Sequence, residues 1–126
     1  MPTVDLDKDN LAPTINDNPF VIIDFWAPWC GPCQSFKPVF EATAEKHPDV
    51  VFAKVNTEEQ QEIASHFQIR SIPTLMVFRE QVVLYAEAGA LQQSAFEKLV
   101  DDAKAVDMND VHKAIEEEES KAQPSA

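Results

Sequence analysis

An α/β domain built on a mixed sheet is the fold this sequence predicts, and three observations lead to it. Two short runs, residues 20–26 and 50–55, are β-branched and aromatic with almost no polar alternation, as strands buried on both faces are. A helical pattern separates them, so together they form a βαβ unit that should cross over right-handed. Residues 74–78 and 82–87 then read as strands with only Arg79, Glu80 and Gln81 between them, which demands an antiparallel hairpin. With a short strand at 3–6, the prediction is a central mixed five-stranded sheet flanked by four helices.

The elements follow in order. After residues 3–6, Asp7 can cap a brief helix over 10–15. The buried strand at 20–26 is interrupted by Ala27-Pro28-Trp29-Cys30-Gly31-Pro32, and a helix follows with Phe36, Val39, Phe40 and Thr43 on one face. Pro38 falls inside that helix and should bend it, because it removes one backbone donor. Thr57 can cap a third helix over 58–67, and the fourth, over 90–106, carries a stripe of Leu91, Ala95, Phe96, Leu99, Val100 and Ala103. The hairpin lacks the Gly or Asn usual in such turns. Residues 1–106 are thus expected to form the domain. Residues 107–126 form an acidic extension, partly helical around Met108, Val111 and Ile115, then frayed from Glu116 onward.

Composition narrows the function. Ten Lys and Arg against 22 Asp and Glu leave a net charge of −12 over 126 residues. Phosphate backbones and anionic lipid repel such a chain, so neither nucleic acid nor a membrane is expected as a partner. The amino terminus has no basic, apolar leader pattern and the apolar runs are short, which points to the cytoplasm. Two cysteines cannot make a disulfide framework, but Cys30 and Cys33 are only three positions apart. Zinc would need about four ligands, and His47, His66 and His112 are scattered without ligand spacing, so no metal is expected.

Cys30-Gly31-Pro32-Cys33 sits where a buried strand feeds a helix amino terminus. Residues three apart on a helical turn are neighbours, so the two sulfurs can reach bonding distance. The first turn offers unpaired N–H groups and the positive end of the helix dipole, both of which favour thiolate over thiol. Cys30 should be the attacking sulfur, with its pKa lowered. Pro32 is tolerated there because its missing N–H would have had no helical partner. Asp24 lies in an apolar strand, where burial should raise its pKa.

The segment Ile23-Asp24-Phe25-Trp26-Ala27-Pro28-Trp29-Cys30-Gly31-Pro32-Cys33 closely resembles the signature of the thioredoxins. Ala53-Lys54-Val55-Asn56, Ile69-Arg70-Ser71-Ile72-Pro73-Thr74-Leu75 and Ala88-Gly89-Ala90 recur in that family's order and spacing, so the resemblance covers about residues 3–105. It implies a thioredoxin fold and a general protein-disulfide reductase that binds no cofactor beyond a redox-active Cys30–Cys33 disulfide. The implied partners are disulfide-containing clients and an NADPH-dependent thioredoxin reductase, and the implied state is a monomer. Cys30 would be the nucleophile and Cys33 the resolving thiol; Asp24 would transfer a proton, with Lys54 as its partner. Pro73 would be a cis-proline facing the sulfurs. Trp29, Gly31, Pro32, Ile72, Pro73, Gly89 and Ala90 would form an apolar rim for an extended substrate backbone.

Three positions depart from the family pattern. Gln34 stands where many relatives carry Lys, and Ser71 and Thr57 replace a glycine and an apolar residue, which makes a more polar rim. Two alternatives remain at this point, a disulfide oxidase or isomerase and a redox-silent binding subunit. Gly31-Pro32 argues against the first, since relatives with those roles usually place a histidine before the second cysteine. The presence of both cysteines and Asp24 argues against the second.

Overall fold

The computed structural model describes residues 2–122. Its strands are β1 (Thr3–Asp5), β2 (Phe20–Trp26), β3 (Val51–Asn56), β4 (Thr74–Arg79) and β5 (Val82–Ala88). The helices are α1 (Leu11–Asp17), α2 (Gly31–Lys46), α3 (Gln61–His66), α4 (Gln93–Ala105) and α5 (Met108–Ala122). The sheet runs β1-β3-β2-β4-β5. Its β1–β3 and β3–β2 pairs are parallel, while β2–β4 and β4–β5 are antiparallel. This is the mixed five-stranded sheet expected, and β2 lies at its centre.

Central position explains the unbroken apolar run of β2, because successive side chains point to opposite faces and both faces are covered. Phe20 and Ile22 join Phe36, Phe40 and Ala44 of α2 and Phe96, Val100 and Ala103 of α4. Val21, Ile23 and Phe25 face the other way, toward Ile63 of α3 and Leu11 and Ile15 of α1. The first layer centres on an aromatic cluster in which Phe96 lies 5.2 Å from Phe36 and 5.7 Å from Phe40, ring centre to ring centre. Such pairs contribute about 0.5–1.5 kcal/mol each beyond area burial. That layer anchors α2 against the sheet and so holds the amino end of the helix still.

Several boundaries differ from the sequence expectation. Asp7 does not cap α1. Its Oδ1 accepts the backbone N–H groups of Asp9 and Asn10 at 2.8 and 3.0 Å, closing a turn ahead of the helix. Thr57 does not cap α3 either; its hydroxyl and its N–H both turn back to the Trp26 carbonyl at 3.1 and 2.8 Å. This delays α3 to Gln61. Pro38 lies inside α2 as expected, and its ring is on the exposed face, where water can reach the Gln34 carbonyl that loses its helical donor.

The hairpin turn is shorter than predicted. Arg79 pairs with Val82, which leaves Glu80 and Gln81 as a two-residue loop with φ of 50° and 69°. Two positive φ values define the type I′ turn, whose twist matches the flanking strands even without Gly or Asn. A side chain in this region costs roughly 1–2 kcal/mol, partly offset in Gly by its greater freedom when unfolded. Gln81→Gly is therefore expected to stabilise the chain by about 0.5–1 kcal/mol, read as a higher urea midpoint with an unchanged slope.

The expected fraying from Glu116 is not what the structure shows. α5 runs from Met108, which is buried, to Ala122, and residues 123–126 lie outside the described region. Two contacts tie this part of the chain to the hairpin. Arg79 Nη1 donates to the carbonyls of Ala103, Lys104 and Val106 at 3.0, 3.3 and 3.0 Å, which satisfies the end of α4. His112 Nε2 lies 2.9 Å from Glu80 Oε1 at the turn. Among the described residues no helix is long and apolar enough to cross a membrane.

Candidate functional site

The site forms where β2 runs out and α2 begins. Cys30 has extended backbone angles and is the N-cap of α2, followed by Gly31, Pro32 and Cys33 in the first turn. The Gln34 N–H donates to the Cys30 carbonyl at 3.1 Å, the first bond of the helix. Pro32 thus occupies a position whose N–H would have no helical acceptor. Cys30 and Cys33 are joined as a disulfide, with their Cα atoms 5.2 Å apart.

The helix terminus acts directly on the first sulfur. The Cys33 N–H donates to Cys30 Sγ at 3.2 Å, so a free amide at the positive end of α2 points at that atom. A sulfur carrying negative charge gains from this donor and a neutral thiol gains little. Burial does not distinguish the two cysteines, which are 5% and 3% exposed. Position on the helix does. Ala27 packs with the two cysteines, with Trp26 and Ile72 at the edge of the cluster.

Asp24 lies on the face of β2 that α2 covers and is 1% exposed, and its Oδ1 has no hydrogen-bond partner. Burial pushes its carboxyl up to about 7, and the positive charge of Lys54 moderates the rise. Lys54 is Asp24's register neighbour on β3. It is 7% exposed, and its ammonium stacks 4.9 Å above the Trp26 ring. A carboxyl held near neutrality can take or give a proton at physiological pH.

The predicted rim is only partly assembled by these contacts. The Ile72–Pro73 peptide bond is cis, and Ile72 packs against the cysteine cluster. The Gly89 N–H donates to the Pro73 carbonyl at 2.8 Å, with Gly89 at a φ of 126° that a side chain would strain. Gly31 has open space where a Cβ would stand, so its smallness serves the outer surface rather than the interior. Trp29 is 67% exposed, and Pro32, Ser71 and Ala90 are exposed as well. Thr57 is half-buried beneath the Trp26 carbonyl rather than on the rim, while Gln34 Nε2 donates to the Pro28 carbonyl at 3.2 Å.

Sequence reasoning missed Glu58. Its Oε1 accepts the Trp29 indole N–H at 2.6 Å and fixes the orientation of that exposed ring. The two residues are 29 positions apart, and only the turn after β3 brings them together. Among the described residues no group of three or more His, Cys, Asp or Glu side chains is placed to hold a metal ion.

Comparison with known proteins agrees with this geometry. The thioredoxin family model matches residues 2–102. A putative thioredoxin 2 from Streptomyces coelicolor is 52% identical over 120 residues, which is 95% of this chain and 90% of that protein. The alignment therefore continues into the segment that holds α5. A mutant thioredoxin from Halobacterium salinarum superposes with a TM-score of 0.75 at 30% identity, covering 83% of this chain and 93% of the other. Plasmodium falciparum thioredoxin gives 0.74 at 30% identity, covering 79% and 98%. The chain belongs to the thioredoxin family and is a thiol–disulfide oxidoreductase whose redox centre is the Cys30–Cys33 pair.

Proposed function

We propose that the protein is a general protein-disulfide reductase recharged by an NADPH-dependent thioredoxin reductase. The observation that carries this reading is the Cys33 N–H aimed at Cys30 Sγ from the start of α2, beside an exposed tryptophan. In the reduced chain the Cys30 thiolate attacks a client disulfide, forming a mixed disulfide and releasing one client thiolate. Cys33 loses its proton to Asp24 and attacks Cys30 Sγ. The second client sulfur leaves as a thiolate that takes up a proton, and the Cys30–Cys33 disulfide remains. Two electrons pass to the client, and the reductase returns them.

Lys54 holds the proton on Asp24 in range of this exchange by offsetting the cost of the buried charge. Trp29, Gly31, Pro32, Ile72, Pro73, Gly89 and Ala90 form the apolar rim along which an extended client segment can lie. Residues 1–106 form the redox domain and 107–126 an appended tail. The protein works as a monomer in the cytoplasm, where a reducing environment keeps the pair cycling.

The test is NADPH oxidation in a mixture of this chain, a bacterial thioredoxin reductase and insulin as the disulfide client. Turnover that depends on all three components is expected. Absence of turnover, with insulin still reduced when dithiothreitol supplies the electrons, would sink the assignment of the electron donor.

A further inference from the structure

Three charged residues form a row across the sheet. Asp5 on β1 and Asp24 on β2 both pair with Lys54 on β3, so all three lie at one level and on one face. The row runs from solvent to interior: Asp5 is exposed, Lys54 nearly buried and Asp24 fully buried. Asp5 and Lys54 also line one cavity of about 260 Å³, with Trp26, Asp7, Asn56, Glu59 and Gln60 around it. A space of that size has room for several waters, each taking about 30 Å³. The Trp26 indole N–H, buried without a partner, belongs to the same lining.

The cavity holds three carboxylates, and two are committed elsewhere. Asp7 Oδ1 closes the turn before α1, and Glu59 Oε1 takes the Asn56 amide at 3.2 Å. Asp5 uses its backbone carbonyl for the Asn10 amide at 3.0 Å, and its side chain enters none of the hydrogen bonds or ion pairs of the described residues. The other elements around Asp24 add little charge. α2 buries Cys33 as its one titratable group, α4 buries Phe96, Val100 and Ala103, and β4 places Leu75 beside Asp24.

We infer that Asp5, which shares this cavity with Lys54, is a positioning residue for the proton on Asp24, the two carboxylates competing for the Lys54 ammonium. The inference rests on the proton-transfer reading of Asp24. An ionised Asp5 draws the lysine charge outward and leaves Asp24 less compensated, so Asp24 keeps its proton to higher pH. Removing the Asp5 charge lets Lys54 serve Asp24 alone. Register neighbours two strands apart are about 10 Å from one another. That distance exceeds the screening length of about 8 Å at physiological salt, so direct repulsion between the carboxylates is weak.

The experiment follows the Asp24 carboxyl by carbon NMR in the oxidised full-length chain, where neither cysteine titrates. Asp24→Asn identifies the resonance. In Asp5→Asn the Asp24 midpoint is expected to fall by about 0.3 of a pH unit, the size that an exposed partner's share of one lysine charge carries. On a Lys54→Met background the same substitution is expected to move it by less than half as much. An unmoved midpoint in Asp5→Asn, or equal shifts in both backgrounds, overturns the role of Asp5. The underlying reading is tested separately by insulin reduction: unchanged turnover in Asp24→Asn would remove Asp24 from catalysis while leaving the measured coupling in place.

Discussion

Cys33→Ser will stop at the mixed disulfide. Incubated with a client, the reduced variant is expected to accumulate a covalent adduct on non-reducing gels, cleared by added dithiothreitol, while Cys30→Ser forms none. The reason lies in the geometry of α2. Cys33 sits one helical turn from Cys30, with Cα atoms 5.2 Å apart, so its attack on the mixed disulfide needs almost no search. Well-placed intramolecular groups act at effective molarities of about 10⁵ M or more. An external thiol at about 1 mM cannot approach that, and turnover should fall by at least about 10³-fold. Near-equal activity of Cys33→Ser and the parent chain would place the resolving thiol outside this molecule.

Asp24→Ala is expected to make the protein more stable and less active. The folded carboxyl is raised from 3.8 to about 7, which at about 1.4 kcal/mol per unit corresponds to roughly 4 kcal/mol lost when Asp24 ionises inside the fold. Alanine removes that cost, which already includes the attraction of Lys54, so a gain of about 4 kcal/mol relative to pH 4 is expected at pH 8. The sign follows from the direction of the shift. A carboxyl whose folded pKa is raised binds its proton more tightly in the native state than in the unfolded chain. Its contribution to stability is intact below about pH 4 and declines as pH rises through about 7. The advantage of Asp24→Ala should thus shrink toward zero at pH 4. Urea unfolding of the oxidised chains at pH 4, 6 and 8 measures this, and an equal gain at all three values would show that ionisation is not its cause.

These two effects draw on the same structural fact. β2 is central in the sheet, so its even-numbered side chains lie under α2, and Asp24 is carried into the interior along with Ile22. The strand that delivers Cys30 to the helix terminus also buries the carboxyl. On the proton-transfer role proposed for Asp24, stability and chemistry are opposed there, as happens where a site requires a group the core would otherwise reject.

Much of this was legible in one dimension. The unbroken apolar run of residues 20–26 declared a strand covered on both sides, and the Cys30–Cys33 spacing declared a dithiol on a first helical turn. Both signals are local, arising from periods of two and 3.6 residues and from the chemistry of a helix end. The turn residues were less legible. Arg79 reads as loop because it is charged, yet it pairs with Val82 and spends its guanidinium on the end of α4. Thr57 reads as a cap because it precedes a helical pattern, yet the Trp26 carbonyl is the acceptor within reach.

The sequence by itself determined the five strands and the first four helices, that the sheet is mixed, and that the chemistry is thiol–disulfide exchange. Each of these depends on residues close together along the chain. Tertiary structure alone decided that Glu58 holds Trp29, that Arg79 and His112 tie α4 and α5 to the hairpin, and that Asp5, Lys54 and Asp24 stand in one row. These groups lie tens of residues apart, and only the order β1-β3-β2 and the register of its strands make them neighbours. Local periodicity carries no information about strand order, because every ordering buries the same apolar faces.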